Sequence, residues 1–503
     1  MMISAISWVP KGSTKAIPAE DEVPTQDEIE EILESGALNR RDDSDNEEDE
    51  AMDVDTAEGR AAAADDEISQ ALAAAEALGN KPRRSSSTSF GAKDVNDALK
   101  ELNMDNYEEE DDGIEIFSTV IGDRYYPSNE MDPYLKKDDE DEYDDEEIED
   151  MTIKPSDAVI VCAHIDEENA EFGQLQVCVL EELEDGELNF YPHHDIFLSS
   201  GPFCTAWRDW NFNGGDKGNY IAVGTSKPAI EIWDLNLIDE IQPFLVLGGV
   251  AKGGVAQKGG KDANYKEGSH RGSVLGLDWN KKLKYLASAS ADKSVKVWDV
   301  DTEKCCLTMN HHTKEVQAVA WNPHLPNVLL SGSFDCSVVL VDWRDPSHVC
   351  IKSAVAADVE CLAWDPHDQY SCLVSLENGI VQGFDVRVTS SEPTMKPSFT
   401  LEAHDKPVCS ISYCPTAPKL LATGSRDKMV KLWDLSNNQP SCVASKNLKP
   451  EKVFSTSFSE DCPFLLAIGG SKGKLHVWNT LDEKEVARRF GKYSNRKLPA
   501  PQE

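Results

Sequence analysis

Residues 270–300 read HRGSVLGLDWNKKLKYLASASADKSVKVWDV. Three short apolar or alternating runs, VLGLDWN (274–280), LASASAD (286–292) and SVKVWDV (294–300), are separated by polar turn residues. That is the signature of β-strands joined by tight turns. Each run recurs. The last returns as AIEIWDL (229–235), SVVLVDW (337–343), GIVQGFDV (379–386), MVKLWDL (429–435) and KLHVWNT (474–480). The first returns as VQAVAWNP (316–323), VECLAWDP (359–366), VCSISYCP (408–415) and VFSTSFSE (453–460). Its aromatic positions, Trp279, Trp321, Trp364, Tyr413 and Phe458, step by 42, 43, 49 and 45 residues. The middle run returns as LLSGSFD (329–335), LLATGSRD (420–427) and LLAIGGSK (465–472). A period of this length with three or four strands per unit marks a repeat architecture.

One four-stranded sheet cannot bury both of its faces. Several sheets closed around an axis bury them against each other and leave only short edges, so the repeat predicts an all-β propeller. The residues resemble the WD40 family. In that family a His before the first strand, a Ser or Thr in the second, an Asp in the following turn and a Trp in the third form a buried hydrogen-bonded tetrad. Two units match fully, with His270, Ser288, Asp292 and Trp298 in one and His404, Thr423, Asp427 and Trp433 in the other. A third has His312, Ser331 and Asp335 with Val341 in place of the Trp, while Lys227, Asn378 and Lys472 stand at the Asp position elsewhere. A Ser, a His and an Asp could also make a nucleophile triad, but their recurrence in several units argues for packing and not for one active site.

Six units run from about residue 202 to 490. Residues 158–198 hold AVIVCAHI, QLQVCVLEE and LNFYPHHDIFL, a second, third and fourth strand without a first. ISAISWVP (3–10) spaces an apolar residue, Trp8 and Pro10 as Val316–Pro323 does. We therefore place the first strand of blade one in residues 1–10, an insertion at 11–155, the rest of a seven-bladed propeller at 156–490 and a basic flexible tail at 491–503.

Charge supports that division. Residues 1–155 carry 46 Asp or Glu against 14 Lys or Arg, a net of −32, whereas residues 156–503 carry a net of −11. Runs such as Asp42–Glu50 and Asp138–Asp150 repel themselves and offer little apolar surface to offset the entropy of ordering, so the insertion is expected to be mostly disordered. The thirteen cysteines are scattered, without CxxC spacing, and read as buried reduced thiols. No apolar stretch has signal-peptide or membrane-spanning length, which predicts a soluble intracellular protein with no membrane contact.

The order of features is more specific than the repeat. An N-terminal strand with Trp, an acidic insertion, DRYYPSNEMDPYL (123–135), YPHHDIFLS (191–199), GNYIAVGTSKPAIEIWDL (218–235) and LASASADKSVKVWD (286–299) together resemble the periodic tryptophan protein 1 family. That resemblance implies a non-catalytic scaffold of the nucleus and nucleolus acting in ribosome biogenesis. It implies roles in rRNA processing, large-subunit precursor assembly and association with ribosomal-DNA chromatin. Ribosome assembly factors and pre-rRNA are the partners expected from it, with the chain a monomer inside a larger complex, while the charge of the acidic insertion suits either basic ribosomal proteins and histone tails or a solubilising tether.

Within the insertion, TQDEIEEILESG (25–36) places Ile29, Ile32 and Leu33 on one face of a short helix, a candidate docking element for a partner groove. Ala61–Gly79 reads as a weak exposed helix. Ser44 lies among acids and Ser86 follows Arg83 and Arg84, which makes both candidate phosphorylation sites. Residues 114–135 place Phe117, Tyr125, Tyr126 and Tyr134 among acids, and aromatics are costly to leave in water, so this piece is expected to pack on the propeller or a partner.

The glycine-lysine stretch 248–268 has no GxxxxGK[ST] match and reads as a surface loop. RRFGKYSNRK (488–497) is basic and open to an import, RNA-binding or solvated-tail reading. His193 with His194, and His311 with His312, lack the further ligands zinc needs, so no metal or cofactor is expected. FDVR (384–387) and VDWR (341–344), WDxR-like stretches in which the Trp is replaced, suggest a rival reading as substrate receptor of a cullin ubiquitin ligase, and a second rival is a histone-binding chromatin or transcription factor.

Overall fold

The computed structural model describes residues 1–20, 151–166, 172–182, 188–209, 218–251, 264–344, 350–387, 394–448 and 451–494. Ile29, Ile32, Leu33, Ser44, Ser86, Tyr125, Tyr126, Tyr134 and the helix expected at 61–79 lie outside these residues.

Seven antiparallel sheets follow one another along the chain. Blade three is typical, with Val274–Trp279 innermost, then Tyr285–Ser290, Val295–Asp299 and Lys304–Met309 outermost. Every blade carries a register shift two residues into its innermost strand, from Ile3/Ala5 in blade one to Val453/Ser455 in blade seven. Such a bulge increases local twist, and its recurrence gives each sheet the same turn away from the axis. The buried side chains fall into seven clusters, one for each pair of neighbouring blades. Among the described residues there is no separate central core. Each sheet is sealed by the sheets beside it.

The ring closes on the N-terminal strand. Met2–Val9 pairs antiparallel with Ala158–Ile165, so blade one consists of one strand from before the acidic stretch and three from after it. Toward blade seven, the Trp8 indole N–H donates to the Ser457 carbonyl at 2.9 Å. Toward blade two, Ser4 Oγ donates to the Pro202 carbonyl at 2.7 Å and Ser7 Oγ lies 2.8 Å from Thr205 Oγ1. The same Trp bond recurs where Trp279 donates to Ala206 O and Trp364 to Ala320 O. A close backbone approach recurs too. A Cβ at Gly224, Gly332 or Gly424 would collide with Val274, Val359 or Val453 of the next blade, and one at Gly469 would meet Ile3 at 2.5 Å. Ile3 therefore stands to blade seven as Val274 stands to blade two.

Three features depart from the sequence reading. First, the ends of the insertion are ordered. Ala19–Glu20 pairs in parallel with Leu237–Ile238, and buried Ile153 donates its N–H to Ala16 O at 2.7 Å. The charge of the whole segment masks the two apolar anchors, Pro18 and Ile153, that hold these ends down. Second, blade seven has three strands among the described residues, Val453–Phe458, Leu465–Gly470 and His476–Asn479. A helix, Lys484–Phe490, follows and buries Val486 and Phe490 beside Trp478 and Phe464, and a 3₁₀ turn at Gly491–Tyr493 extends it into the expected tail. Arg489 of this helix pairs with Asp434 of blade six at 2.9 Å and is therefore not part of a free basic patch. Third, all thirteen cysteines are free, but Cys306 and Cys442 are exposed. Both sit on outermost strands, where alternate side chains face solvent.

If the first strand seals the ring, Trp8→Phe, which removes one indole donor, will cost about 1 kcal/mol. Deletion of residues 1–10 will uncover the inner faces of blades one and seven and send the protein into aggregates. Thermal melting and size-exclusion chromatography report both outcomes, and an unchanged melting midpoint after the deletion would refute the closure.

Candidate functional site

The predicted tetrads come together in space. His270 Nε2 lies 2.7 Å from Ser288 Oγ, which also accepts the Trp298 indole N–H at 2.9 Å. His270 Nδ1 lies 2.9 Å from Asp292 Oδ2. In blade six His404 Nε2 meets Thr423 Oγ1 at 2.8 Å, Trp433 donates to the same oxygen at 2.9 Å, and Nδ1 meets Asp427 at 2.8 Å. In blade four His312 reaches Ser331 at 2.9 Å and Asp335 at 3.2 Å, with Val341 packed where the indole would sit.

A carboxylate can only accept, so Nδ1 carries the proton in each pair and Nε2 accepts from the hydroxyl. The hydroxyl oxygen of Ser288 is then spent on an imidazole and an indole, and the residue is fully buried. Nothing in this arrangement leaves an oxygen free to attack a substrate. Burial lowers the affinity of His270, His312 and His404 for a second proton, despite the facing carboxylates. Burial also pushes against ionisation of Asp292 and Asp335, but hydrogen bonds from His270 and Ser294 to the first, and from Ser337 and Thr313 N–H to the second, hold both below the usual carboxylate range.

Two of the three units that lack the turn Asp replace it with carboxylates the repeat does not reveal. In blade two, buried Glu231 accepts the Trp233 indole N–H at 3.3 Å and the Ser199 hydroxyl at 2.9 Å, and Lys227 Nζ reaches Ser199 at 2.8 Å. In blade seven, buried Glu451 accepts the Lys472 N–H at 3.2 Å and meets His476 Nε2 at 3.3 Å. Around Asn378, blade five relies on apolar residues, Val374 and Phe384 among them.

The innermost strands enclose a channel of about 760 Å³. Lys281 of blade three and Glu460 of blade seven form an ion pair of 2.8 Å at the end where the tryptophans lie. Beside them burial pushes the Asp278 carboxyl up to about 7, although it accepts the Trp321 N–H at 2.6 Å. His193 and His194 bond to each other at 2.9 Å and His193 to the Met151 carbonyl at 3.1 Å. No group of three or more metal-ligating side chains occurs among the described residues. The stems of the glycine-lysine loop meet through Val250 and Tyr265, while Lys252, Lys258 and Lys261 lie outside the described residues.

A WD domain, G-beta repeat model matches residues 265–299, 303–342 and 395–434. The chain is 33% identical over 410 residues to an uncharacterized WD repeat-containing protein of Schizosaccharomyces pombe, covering 79% of this chain and 77% of that one. It is 28% identical over 545 aligned positions to periodic tryptophan protein 1 of Saccharomyces cerevisiae, covering 97% and 90%. The chain belongs to the periodic tryptophan protein 1 family. A homolog from Drosophila melanogaster is 28% identical over 356 residues, covering 70% of this chain and 73% of that one. In this family member three tryptophans at the ends of innermost strands, Trp8, Trp279 and Trp364, bond one blade to its neighbour. The chain is thus a WD40 scaffold, a type of propeller that serves protein interaction.

The buried imidazoles make stability depend on pH. His164, His194, His270, His312 and His404 all have lowered values through burial, so the unfolded chain binds protons first as pH falls below about 6.5. Their contribution is complete above that pH and is lost below it. The raised carboxyls of Asp234, Asp278 and Glu360 act in the opposite sense but are fewer. The urea midpoint will therefore fall between pH 7.5 and 5.5, and a rise over that range would contradict the assignment. Asp427→Ala, which strips the His404 Nδ1–H of its acceptor, will cost about 2 kcal/mol, whereas exposed Asp405→Ala will change stability by less than about 0.5 kcal/mol in the same denaturation assay.

Proposed function

We propose that this protein is a non-catalytic scaffold in ribosome biogenesis, working in the nucleus and nucleolus on rRNA processing and large-subunit precursor assembly. The observation that carries the reading is the match to a periodic tryptophan protein 1 along 97% of the chain, acidic segment included. Physical chemistry supports the scaffold part independently. The recurring His, Ser or Thr, and Asp residues are consumed in holding strands together, which leaves the blade edges and turns as the working surfaces.

The charge distribution supports the choice of partner. A net of −32 in residues 1–155 attracts basic proteins and speeds their encounter, which suits basic ribosomal proteins and assembly factors. Histone tails and a role in ribosomal-DNA transcription satisfy the same electrostatics, and pre-rRNA would be held through those partners or through the basic turns. The two arginines behind the ligase-receptor reading, Arg344 and Arg387, fold back onto Asp342 and Asp385 of their own strands.

Affinity purification of the full chain from nuclear extract separates these readings. Large-subunit assembly factors and ribosomal proteins are expected as dominant partners, and depletion of the protein is expected to accumulate large-subunit rRNA precursors. Recovery of ligase adaptors or of histones without pre-ribosomal proteins would overturn the proposal.

A further inference from the structure

A second cleft lies away from the central channel, between the outermost strand of blade six and the strand-joining turn of blade seven. It encloses about 740 Å³ and is lined by Met1, Lys446, Glu451, Lys472, Lys474 and His476, among others. Three lysines and one acid line it. That acid, Glu451, is 4% exposed and already engaged, accepting the Lys472 N–H at 3.2 Å and meeting His476 at 3.3 Å. Lys446, Lys472 and Lys474 form no ion pair among the described residues.

The geometry holds these charges in place. Lys446 Nζ sits 5.3 Å from the centroid of the Trp478 ring. Gly473, between the other two lysines, has φ of +66°, and a Cβ there would lie 2.9 Å from Met1 O. Only glycine fits that left-handed, crowded turn without strain, and it leaves Lys472 and Lys474 exposed at the lip. Such a concentration of cations runs against the chain as a whole, whose net charge is −43. Like charges held together cost free energy, and a concave wall focuses their field on whatever anion enters.

We propose that this cleft binds an acidic peptide segment, one with several carboxylates within a few residues. Nucleic acid fits less well. Single strands are gripped by exposed aromatic rings on which bases stack; the indole next to the cleft, Trp478, is buried beneath Lys446, and the His476 ring in its wall is engaged by Glu451. The inference goes beyond the ribosome pathway and does not rest on it.

The probe is the fluorescein-labelled nonapeptide DDSDNEEDE, the sequence of residues 42–50, added to the full chain at low salt. Zero-length carbodiimide cross-linking, mapped by mass spectrometry with and without the probe, is read in parallel. Cross-links are expected to concentrate at Lys472 and Lys474 over Lys293 and Lys406, which are also exposed but lie on other blades. The occupant is an acidic segment of a separate partner, so cross-links at this pair are expected to the probe, and cross-links there only to the chain's own carboxylates would overturn the proposal. Where the probe binds, the double variant Lys472→Glu with Lys474→Glu is expected to weaken it at least tenfold, and Lys293→Glu with Lys406→Glu to change it less than twofold. Equal cross-linking at all four lysines would overturn the proposal. So would a nine-nucleotide single-stranded RNA that binds more tightly than the peptide through the same pair.

Discussion

Every blade of this molecule depends on having a neighbour on each side. Four strands bury too little surface alone, and the seven core clusters all lie between sheets. An open stack would leave two faces in water, so the ring must close. The strand that closes it comes from the first nine residues. Ile3 packs on Gly469, Trp8 bonds Ser457, and Ser4 and Ser7 hold blade two. Bonds to both neighbours make this strand a keystone and not an appended edge.

The placement of the acidic segment follows from that constraint. It enters between two hydrogen-bonded strands, with 148 residues between Val9 and Ala158. The entropy of closing a loop grows only logarithmically, by about 0.6 kcal/mol per doubling of length. A long excursion therefore costs little more than a short one, provided its ends are fixed. They are fixed at Ala19–Glu20 and at Ile153, against the turn that follows the third strand of blade two. Much of the protein's charge can thus be carried at one site on a rigid ring without loosening it.

The repeated parts were legible because the same physics acts at each of them. Trp279, Trp321 and Trp364 recur because an indole at that point covers the preceding blade, and Asp292 recurs because its turn needs a carboxylate to receive both an imidazole and backbone N–H groups. The split of blade one was readable from Trp8 and Pro10 for the same reason. What escaped was whatever the fold solved only once. Glu231 reads as an alternating strand residue, and Glu451 as part of a polar loop. Their partners Trp233, Ser199 and His476 are identified only when strands are in register. The helix at Lys484–Phe490 is about two amphipathic turns, too short for its period to speak above the strand pattern before it.

The division of polar residues between interior and surface bears on what the ring can do. A buried imidazole and carboxylate are tolerated only when each polar atom is paired, and His270, Ser288, Trp298 and Asp292 pair one another almost completely. Chemistry at those positions would require breaking the bonds that hold two strands and a turn together. Binding makes no such demand. It uses groups the interior has left over, such as exposed Lys472 and Lys474 on a glycine turn, which form no ion pair among the described residues. A scaffold of this kind separates its two tasks in space: the repeated residues make the ring rigid, and the residues that break the repeat are free to differ from blade to blade and so to tell partners apart.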